Sequence, residues 1–439
     1  MAPAVYLCSC VFVKPEKDAE EGTQEEAAPL MAAELGIAAP THLEDKKPVA
    51  RPAAGFLTEL SHAWDIFKGV LCIFMVWSHV DLTLTTGTDQ LYTHVGHTVG
   101  NVASGMCFLG FMISYGYSCH FAYLTNSKNR PASEQFFRMM RSACLPIMGA
   151  WMCAFAWAFM FFKLPITWTT AISIFTFYNV FGNGPDFILS FTTTLLLSYT
   201  WHKWMNAGLD SKNSWKQGLT VAIMLLGPLL LTQFVVQNCT GERKYIMFFL
   251  ECNIRDAWTC NLPALPHLFN FNLGVLLARL SAREDKKLKE GQESFINSPL
   301  MLAGIAGVLF TMAVPLFSAW SFNYGNLTVE TKWGPVIRGF SGGPSPLWLL
   351  GNLFWLFMLF IASVLAARVA MAYKSFCWVT DTMEHLGANV LLYLVMSDMM
   401  LAGLYSGRFD MHPAGAGVFT AGMMVAIRFV HYLGQSSRK

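Results

Sequence analysis

Apolar runs of about 20 residues, each long enough to cross a bilayer as a helix, recur along this chain. Such runs leave few folds open. In hydrocarbon every backbone N–H and C=O must be satisfied within the protein, and a helix does this within one segment. The composition agrees. Charged residues make up 13% of the chain and hydrophobic ones 54%, whereas a soluble globular protein averages about 25% charged. The expected fold class is therefore all-α, a polytopic transmembrane helical bundle. The net charge of +2 comes without a basic block, so nucleic acid is not an expected partner. The 11 cysteines form no CxxC pair and no zinc spacing, and no metal site is expected.

Taken in order, residues 1–55 are crowded with Glu16, Asp18, Glu20, Glu21, Glu25 and Glu26 among Pro and Ala, and read as a disordered cytosolic tail. Residues 56–433 read as the membrane domain and 434–439 as a second cytosolic tail. Spans are expected near 64–82, 99–123, 142–162, 186–204, 218–236, 262–280, 298–318, 346–372, 385–404 and 414–433. Three basic loops (Lys128 to Arg141, Lys203 to Lys216, Arg279 to Lys289) mark the cytosolic side. Sequons at Asn238 and Asn326 mark the lumenal side if used. Cys239, Cys252 and Cys260 share one hydrophilic loop, which would allow a disulfide in an oxidising lumen. All these marks agree only if residues 164–182, apolar and rich in Thr, Trp and Phe, lie along the lumenal surface or re-enter instead of crossing. The expectation is ten spans plus that one segment, with both termini cytosolic.

The first span carries Asp65, Lys68 and His79. Ionisable groups inside a span are costly and point to function by default. Asp65 and Lys68 are i,i+3 neighbours on one face. His79 follows Lys68 by eleven residues, three turns and about 16 Å, and returns to that face. A cation near one surface and an imidazole at depth suit a helix that receives a charged reagent and does chemistry further in. A snorkelling lysine and a packed histidine would leave the same pattern.

Asp65-Ile66-Phe67-Lys68-Gly69, with His79 eleven residues after the lysine, resembles the opening Asp-x-x-Arg-Gly…His frame of the acyltransferase-3 family of integral-membrane acyltransferases, with Lys68 in place of Arg. Phe108-Leu109-Gly110-Phe111-Met112-Ile113-Ser114-Tyr115 looks like the family's second span. Phe136-Phe137-Arg138-Met139-Met140-Arg141 before Pro146 is similar to the start of its third, and Leu268-Phe269-Asn270-Phe271-Asn272-Leu273-Gly274 resembles its Phe-x-x-Gly span. Leu386-Gly387 through Tyr393 resembles its late Leu-Gly span, with Ser397 where the family often has His, and is also similar to the heparan-glucosaminide N-acetyltransferase relatives. The resemblance runs in order over about 64–433.

It implies transfer of an acyl group, usually acetyl, from cytosolic acyl-CoA to a hydroxyl of a lumenal or extracellular acceptor, often a carbohydrate. No cofactor is held permanently; acyl-CoA is the donor substrate, and a carbohydrate or lipid is the acceptor. The residues fit this. Lys68, Arg138 and Arg141 would gather positive charge for a polyanion at the cytosolic face. His79 would serve as general base or acyl carrier. Asp65 and Asp398, the latter inside the ninth span beside Ser397, join it as candidate catalytic residues, and Asp398 equally suits a structural pair. Asp89, His94 and His97, and Glu251, Arg255 and Asp256, read as loop residues. His267, Arg338 and Arg428 read as packing or snorkelling residues. A polytopic transporter or a non-catalytic relative of the acyltransferases would use the same intramembrane groups.

Overall fold

The helix carrying the Asp65–His79 frame, α1 (Phe56–Leu84), is the one against which the last four described helices of the chain pack. The computed structural model describes residues 56–84, 106–124, 131–176, 183–238, 264–291, 328–331, 334–337, 346–373, 376–406, 411 and 415–436. After α1 come α2 (106–119), which closes in a π turn His120–Leu124, and α3 (Ala132–Ala156), which closes in a second π turn, Trp157–Phe161. Then follow α4 (Trp168–Phe175), α5 (Asn183–Leu209), α6 (Ser214–Asn238) and α7 (Ala264–Lys289). A short antiparallel hairpin, β1 (Thr328–Thr331) and β2 (Gly334–Ile337), pairs Thr328 with Ile337. The chain ends with α8 (Pro346–Ala372), α9 (Cys377–Ala388), α10 (Val390–Ser406) and α11 (Ala416–Ser436).

Among the described residues, four helices are long and apolar enough to cross a membrane, within α1, α3, α6 and α11, and the pair α9–α10, bent by 77°, makes a fifth if taken as one span. Large apolar side chains such as Leu230, Trp378, Val418 and Val425 face outward, as lipid-facing residues do. The protein is a helical integral membrane protein. Helices cover most of the expected spans, with shifted ends. α3 begins ten residues ahead of its span and takes in Arg138 and Arg141. α7 runs nine residues past its span, so the basic stretch Arg279 to Lys289 is helical, with Arg279 paired to Asp210, Lys287 to Glu284 and Lys289 to Asp285. α11 continues to Ser436. The expected span 298–318, the tail 1–55, the loop cysteines and Asn326 lie outside the described residues.

The segment expected along the lumenal surface contains α4, whose eight residues rise only about 12 Å and cannot cross. Thr167 caps it, its hydroxyl accepting from the Thr170 amide at 3.2 Å. Ile174 is buried against Ala154 and Ala158 of the α3 end, and the Trp151 indole donates to the Phe175 carbonyl at 3.3 Å. Trp168 at the start of α4, and Ile166 just before it, stay almost fully exposed.

Two helix crossings set the interior. In one, α9 lies on α1 so closely that a Cβ on Gly69 would strike the Met383 carbonyl and one on Gly387 the Asp65 carbonyl. In the other, α7 lies on α2, where a Cβ on Gly116 would strike the Phe271 carbonyl and one on Gly274 the Ile113 carbonyl. Small residues at such contacts let two backbones approach, which is how helices bind each other where lipid offers no hydrophobic drive. α2 joins the two crossings. Its Cys107 thiol donates to the Leu71 carbonyl at 3.2 Å, and its Tyr117 ring packs on Trp64.

α6 contains Pro228. A proline has no N–H for the carbonyl four residues earlier, here Met224. That carbonyl accepts from the Asn272 amide of α7 at 2.7 Å. A buried polar side chain on one helix thus fills the gap that a proline leaves in another.

Candidate functional site

The Asp65–Gly69 turn sits at the α1–α9 crossing. Lys68 is buried, and its Nζ lies 2.9 Å from Asp65 Oδ1, so the i,i+3 spacing produces a real pair within one helix turn. The Asp65 backbone carbonyl is the atom against which Gly387 rests. The Leu386-Gly387 segment and the Asp65-to-Gly69 segment, more than 300 residues apart in sequence, therefore interlock. Lys68 has three N–H donors in all, and an anionic reagent arriving here would compete with Asp65 for them.

Towards the other end of α1 the same face passes Cys72 and reaches His79, which is partly buried. Cys72, Cys107, Cys119 and Cys153 are buried free thiols. The far end of α1 is held by the Met411 amide, which donates to the Leu84 carbonyl at 2.8 Å.

Asp398 is fully buried in α10, and its carboxylate accepts a hydrogen bond from the Trp157 indole at 2.8 Å, at the π turn that closes α3. Its side-chain partners among the described residues are thus an indole and the Cys153 thiol, and not an imidazole. The carboxylate ties α10 to α3 next to Cys153, whose thiol lies 3.9 Å from the Val395 carbonyl. Arg138 is half-buried and Arg141 exposed, both on the first half of α3. That half is anchored to the end of α2, where Gln135 donates to the Tyr123 carbonyl at 2.7 Å and the Tyr123 hydroxyl bonds Ser142. α2 thus stands between the lysine helix and the arginine helix. Asp89, His94, His97, Glu251, Arg255, Asp256 and Arg338 lie outside the described residues.

Three features go beyond the sequence reading, which took His267 only as a packing residue. The first is the break between α9 and α10, inside what reads as one apolar run. The second is Tyr393, in the first turn of α10: it is fully buried, its hydroxyl has no hydrogen-bond partner among the described residues, and it lies within electrostatic reach of Cys72 and Arg428. The third is on α7, where His267 and Asn270 are buried with His267 Nδ1 and both amide atoms of Asn270 unpartnered among the described residues. His267 packs its ring edge-on to Phe108, 4.3 Å between centroids. Only the Leu-Gly…Tyr pattern hinted at Tyr393, and nothing hinted at Asn270.

No family model, no curated protein and no solved structure matches the chain.

Proposed function

We propose that this membrane protein is an O-acyltransferase that moves an acyl group, acetyl in the simplest case, from cytosolic acyl-CoA to a hydroxyl of a lumenal or extracellular carbohydrate or lipid. In this reading Lys68, with Arg138 and Arg141 of α3, receives the polyanionic donor. Asp65 holds the Lys68 ammonium, and His79 acts at depth as general base or acyl carrier. Asp398 positions α10 through Trp157. The chain crosses the membrane ten times, α4 lies on the lumenal surface, both termini are cytosolic, and the protein resides in an endomembrane or the plasma membrane.

The observation that carries this reading is the interlock of Asp65–Gly69 with Leu386–Gly387. These are two of the segments that resemble the acyltransferase-3 family, and the glycine of each rests on the backbone of the other. The test has two parts. Mass spectrometry of glycans and lipids from cells with and without the protein should find an acyl mass that depends on it. His79→Asn should then sort correctly, still bind acyl-CoA, and lose transfer by roughly 10²–10⁴-fold. Near wild-type transfer by that variant would overturn the assignment.

A transporter is the second reading, and the broken α9–α10 pair favours it, since discontinuous helices line the substrate sites of many transporters. Uptake by reconstituted vesicles with no acyl product formed would select it.

A further inference from the structure

We infer that the break between α9 and α10 is a binding site for a phosphate group. Four groups converge there. The first is the N-terminus of α10, where the opening amides of a helix have no intrahelical acceptor and carry the positive end of the helix dipole. Among the described residues no side chain accepts from these amides. Asn389, the residue at the break, instead donates its Nδ2 back to the His385 carbonyl of α9 at 2.8 Å. The second is the Tyr393 hydroxyl, one turn into α10, with no exposure and no partner among the described residues. The third is His385 in the last turn of α9, whose Nε2 is buried and likewise unpartnered among the described residues, and whose ring stands edge-on to Tyr393 with centroids 6.3 Å apart.

The fourth is Arg428 of α11. Its guanidinium donates to the Thr382 hydroxyl at 3.2 Å and has no carboxylate partner among the described residues, and both His385 and Tyr393 lie within its electrostatic reach. Of the acids nearby, Glu384 pairs with His62 at 3.1 Å and Asp65 with Lys68, while Asp381, beside Thr382, is exposed. His431 stacks near His385, 5.4 Å between centroids. An uncompensated arginine on a spanning helix, an orphan hydroxyl, an orphan imidazole and an uncapped half-helix share one complement. That complement is a compact anion with several acceptor oxygens. A carboxylate offers two oxygens and one charge, whereas a phosphate can meet all four donors.

The site stands on this geometry alone and does not require the transfer reaction. Under the acyltransferase reading the phosphate belongs to the nucleotide end of the donor; otherwise it belongs to a lipid headgroup. The test uses the full-length chain in nanodiscs. One arm titrates coenzyme A and inorganic pyrophosphate into protein in zwitterionic lipid. The other compares thermal stability in zwitterionic discs with discs containing phosphatidylglycerol. A response in the first arm identifies a soluble phosphate ligand, and a response in the second only identifies a headgroup.

In the responding arm Arg428→Gln should weaken binding by at least about tenfold, the value of a hydrogen bond to a charged group. Tyr393→Phe should weaken it about 3–10-fold. The tyrosine hydroxyl bonds nothing among the described residues, so Tyr393→Phe should leave the melting temperature unchanged, and its effect on binding then reports on the ligand. A response in neither arm, or one that both variants leave unchanged, overturns the site. Binding that both variants weaken, in a protein that transfers no acyl group, would keep the phosphate site and discard the enzyme.

Discussion

The α1–α9 and α2–α7 crossings are built alike and differ in what surrounds them. Each brings two backbones together at a pair of glycines, each joins helices far apart in sequence, and each lies against α2 or α1. Around Gly116 and Gly274 stand Phe271, Ile113 and the Tyr115, Phe191 and Phe108 rings together with the buried His267, Asn270 and Asn272, and both helices run on through the contact. Around Gly69 and Gly387 stand Asp65, Lys68, His385 and, one turn on, Tyr393, and the helix on one side breaks directly after the contact. Two continuous helices that cross on glycine give a fixed distance. When one of them ends at the crossing, the same contact also gives a fixed set of free backbone donors and a place for polar side chains to point. The first arrangement holds the bundle, and the second holds the bundle and shapes a site.

Substitutions can separate the two roles. The largest effect is expected where the crossings are alike. Gly387→Val and Gly274→Val should each cost about 3 kcal/mol or more, because the added carbons meet a carbonyl and not a flexible side chain. Size-exclusion profiles and thermal unfolding in detergent measure this. If one variant stays monodisperse at its normal melting temperature, that crossing does not depend on its glycine. Next, Lys68→Met should cost about 2 kcal/mol, below the roughly 3–5 kcal/mol of a fully buried pair, since the Asp65 side chain keeps 21% exposure. Adding Asp65→Asn should recover most of the loss, and failure to recover would show that the two residues are not energetically coupled.

Smaller effects sharpen the comparison within α7. Asn272→Leu should destabilise by about 1–3 kcal/mol by leaving the Met224 carbonyl unmet, while Asn270→Leu, which removes amide atoms with no partner, should be neutral or stabilising. The reverse order would mean that Asn270 has a partner bound in the working protein. The smallest effect has the opposite sign. A Cβ on Gly422 of α11 meets nothing within 4 Å, so Gly422→Ala should raise stability by about 0.5–1 kcal/mol. The same denaturation assay would show whether glycine matters at the crossings or merely recurs in the helices.

The fold was legible wherever a single helix announces itself. α8 keeps the bounds expected from its apolar run, 346–372. The Asp65–Lys68 pair was legible because both partners lie within one turn. What was hidden depends on partners distant in sequence or missing. Asn272 reads as a polar blemish until Pro228, 44 positions earlier, is seen to free the carbonyl that it binds. The α9–α10 break hides in a run of apolar residues around Gly387-Ala388-Asn389, because hydropathy carries no direction. Tyr393 and His385 stand out only through hydrogen bonds they do not make, and a sequence does not record those. Asp398 was legible as an unusual residue but not as the partner of Trp157, whose position depends on the π turn at the end of α3.

The pairing of Lys68 with Asp65 inside one helix also bears on how the protein is made. α1 is synthesised before α9, and the helix that covers its charged turn follows roughly 300 residues later, about 15–60 s at about 5–20 residues per second. Through that interval a lone lysine would raise the insertion free energy of the span, by less than the roughly 2.5–3.5 kcal/mol it costs at the bilayer centre, since Lys68 is expected near one surface. A carboxylate one turn away travels with the ammonium and neutralises it before any other helix arrives. The first span can therefore enter the membrane as a self-contained unit and wait there for α9.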